Sequence, residues 1–371
     1  MIARANRGLI VEPKVSILWV NYNSFSFIDL ALESLQAVED LDYPHYELIV
    51  VDNGSVDDSF TAITSFIEKK NISARTKIIL LERNLGYTGG NNFAYASRDR
   101  DSKYVVLLNN DAVPKPDSLR KLVDYMEKDE TLGAVQGVIL NYDERSIDTA
   151  GDYLDELFAT HPLLEGKHPE SLRKPVYITS ADGAYSIYRV QAIKKIRGQS
   201  DELFDDFIFA CLDDYILGLK LWNSEFKVKA LPFITAKHRR GTSFNRVGAL
   251  RAYLGARNTI ILHEISNSRY KNLAKPLFLK QLCGWFLWKI LRSKVDLGSR
   301  EMPALLSRAF VDGMGVGRTK RRLGDTIDIY KAPILRIEYS RALLGIMIRQ
   351  RLIDSAIRKE LDKITHEGEQ K

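Results

Sequence analysis

Four short apolar runs stand out in the first third of the chain: VSILWV at 15–20, ELIVV at 47–51, KIILL at 77–81 and YVVLL at 104–108. Unbroken runs of this length, rich in β-branched residues, read as buried parallel strands. Between them, residues 27–38, 58–70, 90–98 and 116–128 carry apolar positions at helical spacing. The alternation predicts an α/β fold built on a mainly parallel sheet. Such sheets bind ligands beyond the carboxyl ends of their strands. That singles out Asn21, Tyr22 and Asn23, then Asp52 to Ser55, then Glu82, Arg83 and Asn84, then Asn109, Asn110 and Asp111.

After Gly133 the pattern becomes less regular, with a long polar loop over 143–175 and a helix beginning near Leu212. The last third is mostly helical in pattern, with an apolar stretch at 276–291 and a polar tail from His366. At 371 residues and 45% hydrophobic composition, the chain can bury a large core. Cys211 and Cys283 lie too far apart for a metal-ligand or redox pair, which fits a reducing compartment. Met1 to Glu12 holds no apolar run resembling a signal peptide, so secretion is not expected.

Charge is unevenly divided beneath a net value of +6. Residues 239–371 hold 27 Lys and Arg against 12 Asp and Glu, whereas residues 1–238 are net acidic. A basic appendage on an acidic body predicts a polyanionic partner.

Each candidate motif admits a functional and a plain reading. Asp111, at the end of VLLNNDAVPKP, is either an oxygen ligand for a divalent cation or a turn residue before Pro114. Asp52 accepts hydrogen bonds from a nucleobase or ribose, or only orients its loop; Ser55 and Asp58 suit a capping box for the next helix. The glycines of RNLGYTGGNN allow close backbone approach, but NYNSFS after the first strand lacks the glycines of a dinucleotide fold. Asp213 and Asp214 either favour a helix dipole or take a proton from an acceptor hydroxyl, and an Asp of ordinary pKa is ionised at neutral pH. His238, in AKHRRGTSF, binds a metal or packs.

Taken in order, these segments resemble the family 2 glycosyltransferases of GT-A fold, particularly the rhamnosyltransferase-like group that extends surface glycans. VNYN at 20–23, VDNGSVDDS at 51–59, NLGYTGGNN at 84–92 and LLNNDA at 107–112 look like donor-site signatures. DGAY at 182–185, LDD at 212–214, HRRGTS at 238–243 and ARN at 256–258 look like acceptor-side ones. The resemblance implies that Val20, Tyr22 and Asp52 face a nucleotide and that Arg83 and Asn84 seat its base or ribose. Gly90, Asn91 and Asn110 on the donor side, and Gly183, Asp213 and Arg257 on the acceptor side, are implied to contact substrate. Asp111 and His238 would hold manganese or magnesium, and Asp214 would be the catalytic base. Asn109 departs from the first Asp of the usual D-x-D pair, and Ile216 replaces a later Asp.

The implied reaction is inverting transfer from a nucleoside-diphosphate sugar to a glycan or lipid-linked saccharide. A GT-A domain over 1–258 and a basic helical extension over 259–371 are expected. Trp285 and Trp288, flanked by Lys271, Lys275, Arg292 and Lys294, suit a helix lying on an anionic membrane surface, or an ordinary core helix. A peripheral position on the inner face of the cell membrane follows from the first reading. The basic run Arg318, Lys320, Arg321 and Arg322 offers a nucleic-acid alternative, yet no nucleic-acid-binding signature accompanies it, so no nucleic-acid partner is expected.

Overall fold

A computed structural model describes residues 12–70, 72–242, 248–271, 298–338 and 361. The apolar runs form β1 (Val15–Asn21), β2 (Tyr46–Asp52), β3 (Thr76–Leu80) and β4 (Tyr104–Asn109), all parallel where they pair. The first, second and fourth are buried along nearly their whole length. The third differs from expectation: it pairs with β2 alone at the sheet edge, leaving Leu80 59% exposed. The helical stretches become α1 (Ile28–Glu39), α2 (Ser59–Lys69), α3 (Gly86–Ala96) and α4 (Ser118–Glu127).

The sheet continues beyond β4 through β11 (Tyr185–Arg189), β6 (Leu132–Asn141), β12 (Lys227–His238) and β10 (Val176–Tyr177). Strand β11 runs antiparallel to both β4 and β6, and β12 runs parallel to β6. The β12 register slips three times between Lys227 and Ala236 before settling at Lys237 and His238. Short β5 (Ala112–Pro114) pairs with β12, and β7 (Ile147–Thr149) with β6. A separate hairpin joins β8 (Asp152–Leu154) to β9 (Thr160–Pro162). The polar stretch 143–175 is therefore not one loop, because its strands are too short to show a period.

Alternation along the strands fills two cores. Ile17 and Trp19 pack with Leu35, Leu122 and their neighbours from α1 and α4. Leu18 faces the other way, toward Ala94 and Tyr95 of α3, and toward α5 (Val190–Arg197) and α6 (Asp213–Asn223). Each fully buried Leu or Ile stabilises by roughly 1.5–3 kcal/mol, so both faces hold the strand ends rigidly.

Helices α7 (Gly248–Ile265) and α8 (Gly298–Arg322) pack against each other. The division expected after Asn258 falls inside α7, and Tyr270, Leu335 and Ile337 lie in the core beside α6. The apolar stretch 276–291, with Cys283, Trp285 and Trp288, lies outside the described residues. Among the described residues, no helix is long and apolar enough to cross a membrane.

Candidate active site

The ends of β1, β2 and β4 lie side by side, and a buried amide fastens them. Asn21 Nδ2 donates to Asp52 Oδ1 at 2.8 Å and to Ser59 Oγ at 3.0 Å, while its Oδ1 accepts from Asn110 Nδ2 at 3.2 Å. A fully paired buried network rigidifies its surroundings, so Asn21 fixes the strand ends that the sequence left without a keeper. Asp52, 1% exposed, also accepts from the Ser55 amide at 2.8 Å and the Ser55 hydroxyl at 2.7 Å. The capping box expected of Ser55 and Asp58 does not form: Asp58 makes no side-chain cap bond, and Asp57 receives the Ser59 amide at 3.1 Å. Ser55 is drawn away by the carboxylate of Asp52, because bonds to a charged acceptor are stronger than neutral ones.

Asn53 ties this loop to the next one. Its amide donates to Asn84 Oδ1 at 3.1 Å and Gly86 O at 2.9 Å, and its Oδ1 accepts from the Leu85 amide at 2.9 Å. Asn84 is thus held within the loop, and Asn91 donates along its own helix to Tyr87 O at 2.9 Å. Val20, Tyr22, Arg83 and Asn84 are the donor-side candidates left partly or fully exposed at the rim. At Gly90 a Cβ would stand 2.8 Å from Val20 Cγ1, so only glycine lets α3 lie this close to β1. A Cβ on Gly183 would stand 2.4 Å from the Tyr87 hydroxyl, which donates to Gly183 O at 3.2 Å.

Strand pairing brings Asp111 and His238 together. Ala112 of β5 is in register with His238 of β12, and the Arg239 amide donates to Asp111 O at 3.0 Å. His238 Nε2 lies 3.1 Å from Asp111 Oδ1, and its Nδ1 lies 2.9 Å from Asp148 Oδ2. Burial by itself would lower the imidazole pKa, but hydrogen bonds to Asp111 and Asp148 outweigh it and hold the pKa up to about 10. A carboxylate oxygen and an imidazole nitrogen facing each other at this distance suit neighbouring positions on one cation. Asn110 and Asp111 form the turn between β4 and β5, so the turn reading describes their backbone.

Asp148 also binds Arg240, whose Nε lies 2.7 Å from its Oδ1, and Arg240 Nη2 reaches Asp182 Oδ2 at 2.8 Å. Burial pushes the Asp148 pKa up, and the bonds to His238 and Arg240 pull it below the usual carboxylate value. Beyond Asp182 lies a second acidic centre, where ligand oxygens of Asp152, Asp182 and Asp214 lie within 4.8 Å of one another. Burial, then the charges of Asp213, Asp182 and Asp152, push the Asp214 pKa well above the ordinary value; burial pushes Asp213 up to about 6. The expectation that Asp214 is ionised like a free Asp therefore fails, because desolvation penalises the charged form.

Asp213 and Asp214 open α6, directly after a loop in which Phe209, Cys211 and Leu212 all have φ between 62° and 71°. Such backbone is costly for side-chain-bearing residues and persists only where its surroundings enforce it. Fully buried Asn258 does so, donating to Ile208 O at 3.2 Å and to Ala210 O and Cys211 O at 2.8 Å. Arg257, expected to contact substrate, donates to Phe207 O at 2.8 Å and to Asn258 Oδ1 at 2.9 Å. Four site residues had escaped notice individually: Asp148, Asp152, Asp182 and Arg240. Two of them stood within the DGAY and HRRGTS motifs.

Residues 16–197 match the family model described as glycosyl transferase family 2. That segment, just under half of the chain, belongs to the family. This glycosyltransferase is 29% identical over 123 residues to an uncharacterized glycosyltransferase of Haemophilus influenzae, covering 33% of this chain and 36% of the relative. It is 29% identical over 115 residues to the putative teichuronic acid biosynthesis glycosyltransferase TuaG of Bacillus subtilis, covering 31% and 42% of the two chains. In each case the match spans less than half the length of the curated relative. Its fold is like that of S. aureus TarS, with a TM-score of 0.50 and 14% identity over 94% of this chain and 55% of that one. The glycosyltransferase therefore has the GT-A architecture, a mainly parallel sheet with helices on both faces and a helical C-terminal region.

Proposed function

We propose that this glycosyltransferase moves a sugar, with inversion, from a nucleoside-diphosphate sugar to a glycan or lipid-linked saccharide during surface-polysaccharide synthesis. The observation that carries this reading is the continuous hydrogen-bonded chain Asp111, His238, Asp148, Arg240, Asp182, which joins the strand-end site to the acids around Asp214. Donor and acceptor would occupy its two ends.

In this reading the rim residues Val20, Tyr22 and Arg83 border the nucleotide, and Asp52, Asn84, Gly90, Asn91 and Asn110 hold the shape of its pocket. Asp111 and His238 would hold magnesium or manganese, which would supply charge neutralisation for the departing diphosphate. With Asn109 in place of a second acid, the protein would offer the ion a single carboxylate here, so its hold on the ion would depend on the donor as well. The acceptor oxygen attacks the anomeric carbon as its bond to the diphosphate breaks, and Asp214 takes the acceptor proton. A raised carboxylate pKa suits this task, since a base works best near the operating pH. One displacement inverts the configuration, so no second carboxylate is needed as a nucleophile. Gly183, Asp213 and Arg257 shape the acceptor side.

The order of motifs favours the rhamnosyltransferase-like group, with a hexose or deoxyhexose as the transferred sugar. The similarity to TuaG, a putative teichuronic acid biosynthesis glycosyltransferase, supports a polysaccharide product. The basic balance of residues 239–371 supports docking on an anionic membrane surface at the cytoplasmic face, with no nucleic-acid partner. Transfer or donor hydrolysis with manganese tests the assignment. Activity should vanish with a chelator, in Asp111→Ala and in Asp214→Asn; normal turnover by both variants would overturn it.

A further inference from the structure

Three arginines near the end of α8 share one face of the helix. Arg318, Arg321 and Arg322 stand at positions i, i+3 and i+4, which are neighbours on a helical surface. Lys320 points the other way, where its ammonium lies 3.8 Å from Asp206 Oδ1 and 4.3 Å from the centre of the Phe207 ring. The three arginines are exposed, and among the described residues none of them makes a hydrogen bond or an ion pair.

Basic residues in a last turn ordinarily offset the negative end of a helix. Here the backbone closes that end by itself. The Asp325 amide donates to Lys320 O at 3.0 Å and the Gly324 amide to Arg321 O at 3.1 Å, with Gly324 at a φ of 89°. This is a Schellman turn, so capping does not occupy the guanidiniums. Instead they border a cavity of about 370 Å³ together with Glu264 of α7. The two helices close on each other beside it, where a Cβ on Gly317 would stand 2.6 Å from Glu264 Cβ. Three guanidiniums against one carboxylate leave a surplus of two positive charges around the cavity.

We propose that Arg318, Arg321 and Arg322 form a binding site for a phosphate group, separate from the strand-end site and from the acids around Asp214. A phosphate monoester carries about −1.5 to −2 charges at neutral pH, which matches the surplus. Guanidinium forks hold phosphate oxygens in bidentate pairs, a geometry that an ammonium group does not reproduce. Ligand pockets usually measure roughly 300–1,000 Å³, and a cavity at the small end of that range suits a single phosphate with its ester group. The phosphate belongs to a lipid headgroup or is free in solution. A lipid source rests on the proposed membrane docking and extends it, whereas the site itself does not depend on sugar transfer.

Isothermal titration of the full-length protein with inorganic pyrophosphate, in chelator, tests the site. Wild type and Asp111→Ala should bind it. The combined variant Arg318→Lys, Arg321→Lys, Arg322→Lys should bind at least about tenfold more weakly, although its net charge is unchanged. Because the three side chains are exposed, this variant should melt together with wild type, which shows that it is folded. Co-sedimentation then separates the sources. Retention on vesicles of equimolar phosphatidylcholine and phosphatidic acid that weakens in the lysine variant assigns a lipid headgroup; weakened pyrophosphate binding with unchanged retention assigns a free phosphate. Equal pyrophosphate binding by wild type and the lysine variant would overturn the proposal, as would no binding by folded wild type, or a loss confined to Asp111→Ala. Phosphate binding at the arginines by a wild type that transfers no sugar would count against the proposed function alone.

Discussion

His238 and Asp111, 127 residues apart in sequence, face each other with Nε2 and Oδ1 separated by 3.1 Å. Asp148 holds the opposite ring nitrogen, so the imidazole cannot turn without losing a buried partner. Groups that orient a metal-binding histidine typically matter 10–100-fold to metal affinity. Asp148→Asn should therefore raise the manganese concentration for half-maximal transfer by about that factor, with much of kcat recovered at saturating metal. An unchanged manganese midpoint would remove Asp148 from the site.

The pH dependence of transfer should report the acids at the start of α6. Burial and the neighbouring charges of Asp213, Asp182 and Asp152 raise the Asp214 pKa, so kcat/KM should climb with pH along a limb lying well above the ordinary carboxylate range. Asp213→Asn removes a like charge and should shift the ascending limb to lower pH. A limb that stays in place would show that Asp213 does not act on the base.

Acid lability should arise elsewhere. Buried Asp205 receives Arg197 at 2.7 Å and Lys220 at 2.8 Å. Burial raises its pKa, but both cations outweigh burial and hold it below 3.8. Its stabilisation is present above the unfolded value and is lost as pH falls through the lower folded one. Asp205→Asn, which deprives Arg197 of its carboxylate and leaves Lys220 only Asp325, should cost about 3–5 kcal/mol in urea unfolding at pH 7 and reduce the further loss toward acid pH.

Asn258→Ala should loosen the loop that carries Asp213 and Asp214. Three buried carbonyls lose their shared donor, at a cost of about 1–3 kcal/mol. The expected kinetic signature is a fall in kcat with the donor affinity little changed, measured by nucleotide-sugar titration and turnover on the same preparation. An equal loss of donor binding would mean that the loop supports both halves of the site.

The sequence revealed what depends on local pattern. Strands β1, β2 and β4 read clearly because both faces are buried, and β3 read identically although its position at the edge is set by pairing. Asp111 and His238 were legible as motif residues, but their contact depends on β5 meeting β12. Asp148 and Asp152 lay hidden in a stretch whose strands are three residues long. Ser55 suggested a cap, yet the nearby carboxylate of Asp52 claims it. Arg257 was legible through the ARN motif, but its bonds to Phe207 O and Asn258 depend on a loop distant in sequence.

The slips in β12 separate folding from chemistry. Side chains of a strand alternate between faces, so removing one residue between Leu231 and Thr235 would reverse everything after it while leaving the ladder free to re-form. Arg239 would then stand where His238 now stands, opposite Asp111. Such a protein would set a permanently charged guanidinium against Asp111 in place of an imidazole that can release its proton. Length along this one strand is thus inherited as a functional trait.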